Sequence, residues 1–161
     1  MKHVCVRLFT VAVISCGLAS AKKPAPLPDF TVLAPDGTSV KSAQLKLPNQ
    51  WLLVYVQPNA ASSDTILNSL NDGKLNSLNN KILLIIGGVQ PSDASAMLAG
   101  FPFLKSITYY ADPKRNAQHA MGLPGIPAVL GMKQNVVQWR FVGAMPKPEH
   151  TRSLLKNWRE K

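Results

Sequence analysis

The sequence predicts an α/β domain: a central mixed β-sheet flanked by helices, with a β-hairpin at its amino end. Three observations predict it. Two almost wholly apolar runs, Trp51 to Val56 and Lys81 to Ile86, have the look of strands buried on both faces. Segments with apolar residues at helical spacing alternate with the strand-like runs, the pattern of a sheet covered by helices on both sides. A short strand, a Pro35-Asp36-Gly37 turn and a second short strand stand before all of this.

The first segment is a leader. Lys2, His3 and Arg7 precede an apolar run from Leu8 to Ile14, and Ala19-Ser20-Ala21 places small residues where a signal peptidase reads them. Cleavage after Ala21 is one reading, with residues 1–21 as a signal peptide. The other is a lipoprotein signal over 1–15, because Val13-Ile14-Ser15-Cys16 resembles a lipobox with Cys16 as the acylated residue. A single diacylated cysteine tethers a domain to a membrane without a spanning helix. Residues 22–28 (KKPAPLP) are basic and proline-rich, which suits an extended tether. The domain is expected over 29–160.

The chain carries a net charge of +10, which falls to +8 once Lys2 and Arg7 leave with the leader. The remaining basic residues are spread from Lys22 to Lys161 without a dense run, so a solvated basic surface and an acidic partner such as anionic lipid are both open. A specific nucleic-acid partner is not expected. Both cysteines, Cys5 and Cys16, lie in the leader, so nothing from Gly17 onward can form a disulfide or a thiolate.

Each element of the domain has a local reason. Phe30 to Leu33 and Thr38 to Val40 read as the hairpin strands, and Ser42 to Leu47 as a connector. After the Trp51 to Val56 strand, Ser62, Ser63 and Asp64 offer helix caps before Ile66, Leu67 and Leu70. Asp72-Gly73 interrupts that helix before Leu75 and Leu78 resume it. The pentapeptide Leu-Asn-Ser-Leu-Asn occurs at Leu67 and Leu75, but an eight-residue period keeps no helical face aligned and marks no repeat fold. Gly87-Gly88 ends the second buried strand. Ser92 is expected to cap a helix reaching Ala99, and Ile107 to Tyr110 is a third strand. Pro113 is expected to open a helix with Ala117, Ala120 and Met121 on one side and Gly122 at its end. Ala128 to Met132 and Val136 to Val142 are strands around a Lys133-Gln134-Asn135 turn. Glu149 to Trp158 closes the chain as a helix with Leu154, Leu155 and Trp158 inward.

Three segments carry a resemblance: Pro28-Asp29-Phe30-Thr31-Val32 with Asp36-Gly37 and Leu45, then Leu52 to Asp64, then Tyr110-Ala111-Asp112 through Gly122-Leu123-Pro124-Gly125-Ile126-Pro127-Ala128. In this order and spacing they resemble the thioredoxin-like superfamily, in the redoxin branch of TlpA-type thiol reductases and alkyl hydroperoxide reductase/peroxiredoxin proteins. The resemblance covers about Pro28 to Trp158. It implies a thioredoxin-like fold, and thiol-disulfide oxidoreductase or peroxiredoxin-type antioxidant activity as the family's chemistry.

Carried over by position, the active site lacks sulphur. The reductase Cys-x-x-Cys falls on Ala61 and Asp64. In the peroxiredoxin register Pro58 and Ser62 match the flanking proline and hydroxyl residue, and Thr65 takes the place of the peroxidatic cysteine. A cysteine at a helix start is held partly as thiolate by the backbone donors there. A threonine hydroxyl is not nucleophilic without a base and forms no sulfenic acid. No catalytic residue is therefore assigned.

The resemblance further implies a cis Ile126–Pro127 bond and a binding loop at Gly125, Ile126 and Pro127. The expected function is an exported, periplasmic or extracytoplasmic, non-catalytic module. It would bind an exported protein, a peptide or a small ligand in the groove between Pro58–Thr65 and Gly125–Pro127. Membrane association through an acylated Cys16 or the basic surface remains open. No cofactor and no metal is expected, because His119 and His150 have no clustered ligands beside them. Arg140 is expected in a rim salt bridge, Trp139 and Trp158 in or near the core, and Trp51 at the start of the sheet.

Overall fold

The structure is a computed structural model that describes residues 24–72, 81–143 and 148–159. The leader with Cys5 and Cys16, the resumed helix expected at Leu75 and Leu78, and the side chain of Leu155 lie outside the described residues.

In chain order the elements are β1 (Ala25–Pro26), β2 (Thr31–Leu33), β3 (Ser39–Lys41), β4 (Gln50–Val56), α1 (Ala61–Leu70), β5 (Ile82–Gly87), α2 (Pro91–Ala99), β6 (Thr108–Asp112), α3 (Asn116–Ala120), β7 (Ala128–Lys133), β8 (Val136–Val142) and α4 (Pro148–Arg159). The eight strands form one sheet in the order β1-β8-β7-β4-β5-β6-β2-β3. Strands β4, β5 and β6 are parallel, joined by crossovers that contain α1 and α2. Strand β7 lies antiparallel to β4, with Tyr55 opposite Ala128 and Gln50 opposite Lys133.

The apolar runs are continuous because both faces of the sheet are covered. Leu52, Val54 and Val56 pack with Ile66, Leu67 and Leu70 of α1, Leu98 of α2, and Leu154 and Trp158 of α4. Their alternates Trp51, Leu53 and Tyr55 face the other way, onto Phe30, Leu45, and Ala117 and Met121 of and beside α3. Every one of these strand side chains is buried. A fully buried aliphatic side chain contributes about 1.5–3 kcal/mol, so β4 and β5 anchor the domain.

The hairpin β2–β3 turns where expected. The Asp36 carboxylate accepts the Thr38 N–H at 2.9 Å, and Gly37 takes φ +85°. The β7–β8 turn uses Gln134 and Asn135, both left-handed at φ 49° and 63°, a conformation that matches strand twist in a two-residue hairpin. Ala25–Pro26 is extended, as its prolines require, and pairs with Val137 and Val136 at the sheet's edge.

Three helix starts differ from expectation. Helix α1 has Ala60 as its N-cap without a side-chain cap, so Ser62, Ser63 and Asp64 lie inside its first turn. Gln90, not Ser92, precedes α2, with Pro91 in its first turn. Helix α3 starts at Asn116 instead of Pro113, because a left-handed Arg115 at φ 57° separates them. In α1 the Ser63 hydroxyl serves the Gln57 N–H instead of capping the helix, and in α3 the Asp112 carboxylate receives the first N–H groups, those of Asn116 and Ala117.

Candidate functional site

The carboxyl ends of β4, β5 and β6 and the start of β7 meet at one end of the sheet. In an α/β sheet this is where loops leave room for a ligand. Two of those loops form the candidate groove.

One lip is the turn after β4 and the start of α1. The Gln57 N–H donates to the Ser63 hydroxyl at 3.1 Å, and the Gln57 side-chain amide donates to the Gln118 side-chain carbonyl at 3.1 Å. Buried Ser63 thus ties the strand's end to the helix instead of capping the helix. The Ala60 carbonyl accepts the Ser63 and Asp64 N–H groups at 2.8 and 3.1 Å. Ala61, the first helical residue, is exposed, and Asp64 projects its carboxylate from the same first turn. Negative charge is favourable there. Thr65 is a turn further in, and its hydroxyl donates to the Ala61 carbonyl at 2.9 Å. That bond occupies its proton with the backbone four residues back.

The other lip is the loop before β7. Gly122 ends α3 at φ 57°, Leu123 buries its side chain, and the Ile126–Pro127 bond is cis, the isomer the resemblance implies. Pro127 is buried, while Gly125 and Ile126 are half-buried. The Pro127 carbonyl is held by the Gly143 N–H at 2.8 Å. A Cβ on Gly125 would stand 3.3 Å from a Val142 methyl, so a side chain there would press on β8. The two lips touch where the Ser62 hydroxyl donates to the Ile126 carbonyl at 3.3 Å. The Ile126 amide forms no hydrogen bond among the described residues, which leaves a donor at the groove wall.

Of the sequence-derived positions, Ser62 meets Ile126 across the groove, Ala61 stands exposed at the start of α1, Pro127 is buried behind the far lip, and Pro58 lies in the turn between β4 and α1. What they offer is a methyl group, an engaged hydroxyl, a carboxylate at its edge and backbone polar groups. None is a thiol. Among the described residues no group of three or more His, Cys, Asp or Glu side chains is placed to hold a metal, and His119 and His150 are exposed. Arg140 makes no rim salt bridge among the described residues; its guanidinium donates to the Met121 carbonyl at 3.3 Å and braces the end of α3.

Beside the groove lies a buried pair absent from the sequence-derived site. The Tyr55 hydroxyl donates to the Asp112 carboxylate at 3.1 Å, and the other donors to that carboxylate are the Asn116 and Ala117 N–H groups at 2.8 and 2.9 Å. Burial above all, and then the negative charge of Asp112, push the Tyr55 phenol well above its ordinary value. The signal was present in the sequence: an aspartate at the end of a strand and four residues before a helix can serve the helix's first N–H groups.

The fold has counterparts among solved structures. The Chlorobium tepidum protein named as a thiol:disulfide interchange protein, DsbE, matches with a TM-score of 0.68 at 21% identity, over 88% of this chain and 97% of that one. The fold is that of the thioredoxin-like redoxins. A secreted Mycobacterium tuberculosis disulfide oxidoreductase, homologous to DsbE of E. coli, matches this redoxin fold with a TM-score of 0.63 at 14% identity, over 82% of this chain and 96% of that one. A thiol peroxidase from Chromobacterium violaceum matches it with a TM-score of 0.63 at 17% identity, over 87% of this chain and 88% of that one. No protein-family model and no curated protein matches the chain in sequence. Helix α1 begins at Ala61, and Thr65 stands one turn further in.

Proposed function

We propose that this chain is an exported redoxin-fold binding module that works without thiol chemistry. Its ligand would be an extended peptide segment of an exported protein, or a small ligand of similar polarity, held in the groove between Pro58–Thr65 and Gly125–Pro127. The observation that carries the reading is the combination of intact lips and missing sulphur. The groove keeps its cis Ile126–Pro127 wall and an Ile126 amide ready to donate, while Ala61, Asp64 and Thr65 stand where thiols would act. An extended backbone supplies the carbonyl that such an amide needs. Export is supported by the leader sequence, and agrees with the secreted state of the Mycobacterium tuberculosis protein of the same fold.

The test is a nuclear magnetic resonance titration of the labelled protein with a panel of unstructured peptides. Saturable shifts at the Ala61, Ser62 and Ile126 amides that disappear in Pro127→Ala and Ala61→Trp support the groove. Shifts that persist unchanged in both variants remove it. The alternative, residual thiol-disulfide or peroxidase activity, depends on Cys16 being retained with a free thiol. Insulin reduction or peroxide turnover by the exported protein, above that of a Cys16→Ser variant, would establish that alternative instead.

A further inference from the structure

We propose that the end of the domain opposite the groove is a docking surface for an anionic lipid bilayer. This goes beyond the groove reading and stands without it.

Near the groove end the charges are mixed: the first turns of α1 and α2 carry Asp64 and Asp93, while Lys41 ends β3 and Lys114 follows β6 there. The opposite end gathers lysines. Lys133 ends β7, Lys81 immediately precedes β5, and Lys105 lies just before β6. Strands β7, β4, β5 and β6 are consecutive in the sheet. At about 4.8 Å between neighbours, these three lysines fall along a line of roughly 15 Å. Lys156 joins them from the last turns of α4, which reaches this end because the Trp158 indole N–H donates to the Trp51 carbonyl at the start of β4. Lys105, Lys133 and Lys156 are exposed; Lys81 is half-buried and donates to the Pro48 carbonyl at 3.1 Å. Asp72, the acidic residue that follows α1 to this end, is neutralised by Arg152 at 2.9 Å.

One aromatic residue decides the kind of partner. Phe103 is the sole large hydrophobic side chain exposed among the described residues, at 42%. It sits two residues before Lys105 in the turn that leads into β6. That turn is fixed by its N–H, which donates to the Asn71 side chain at 2.9 Å at the end of α1. A part-exposed aromatic residue two positions from Lys105 suits a bilayer interface, where such a ring meets the headgroup layer and ammonium groups meet lipid phosphates. Lysines are compact charges on flexible stems and match a diffuse anionic surface. The planar guanidinium forks that read phosphates pairwise are used elsewhere: Arg140 and Arg152 are bound within the domain. Docked this way, the groove faces away from the membrane across the length of β4, roughly 20 Å.

The protein recovered from an exporting host is sedimented with neutral phosphatidylcholine vesicles and with vesicles holding about 30% phosphatidylglycerol, at about 0.1 and 0.5 M salt. The readout is the difference between anionic and neutral vesicles, compared between variants that share the same amino terminus, so that any leader charge or acyl chain is common to all of them. We expect that difference to fall at least ~10-fold with Lys105→Glu/Lys133→Glu, and to stay within ~2-fold with the charge-matched control Lys41→Glu/Lys114→Glu. Phe103→Ser should leave a weaker, fully salt-sensitive attachment. Should the glutamate pair fail to fold, Lys105→Gln/Lys133→Gln must show the same direction of loss. Equal loss in pole and control variants overturns the proposal. So does the absence of any anionic preference, or tighter retention by single-stranded DNA than by the anionic vesicles at the same salt.

Discussion

The Tyr55 hydroxyl and the Asp112 carboxylate meet at 3.1 Å beneath the groove, joining the end of β4 to the end of β6. Asp112 uses the same carboxylate to receive the first N–H groups of α3, so one side chain ties two strands and a helix together. Gly87 is part of this arrangement, because a Cβ there would collide with the Tyr55 ring.

Removing either partner should cost unequal amounts. Tyr55→Phe deletes one hydrogen bond and is expected to lower stability by about 1–2 kcal/mol. Asp112→Ala strands the phenol and two backbone donors and should cost ~3 kcal/mol or more. Urea unfolding followed by circular dichroism measures both.

The same pair sets an alkaline limit. The folded protein holds the Tyr55 proton above the ordinary phenol value near 10, where the unfolded chain releases it. The folded state then binds more protons than the unfolded one, so stability is intact below about pH 10 and declines as pH rises beyond it. Burial acts on Tyr110 in the same direction. Unfolding free energies measured between neutral pH and pH 11 should fall less steeply in Tyr55→Phe; an identical slope would refute the assignment.

Restoring sulphur distinguishes the two registers of the groove. Ala61→Cys places a thiol at the first helical position, where backbone donors favour thiolate. Thr65→Cys places it a turn deeper, at a position whose hydroxyl now serves the Ala61 carbonyl. Alkylation by iodoacetamide at neutral pH should be at least ~10-fold faster for Ala61→Cys. The double variant Ala61→Cys/Asp64→Cys should close a disulfide across one helical turn, readable by mass and by insulin reduction.

Gly131 is required by a ring. A Cβ at Gly131 would enter the Trp139 indole, which stands edge-on to Trp158 with centroids 5.6 Å apart. Gly131→Ala is expected to destabilise the domain by about 1–3 kcal/mol and to shift its tryptophan fluorescence as the pair separates. By contrast, Arg152→Met should cost only about 1 kcal/mol, because the Arg152 side of its bridge to Asp72 is solvent-exposed.

Much of this molecule was legible before its structure. The runs at Trp51 and Lys81 announced buried strands because only a sheet covered on both faces tolerates uninterrupted apolar side chains. Asp36-Gly37 and Gln134-Asn135 marked turns through local backbone preference. The order of motifs from Pro28 to Pro127 carried the thioredoxin-like fold, and the absence of cysteine from Gly17 onward showed which chemistry that stretch lacks. Local patterns could not decide which residue starts each helix, because Ser63 serves the Gln57 amide and Arg115 turns left-handed only in the context of the packed sheet. Nor could they bring Tyr55 to Asp112, Ser62 to Ile126, or Lys81, Lys105 and Lys133 to one end. Those relations join residues from 24 to 64 positions apart. Chain order records which side chains exist; only the parallel crossovers and strand order decide which of them share a pole, a groove or a proton.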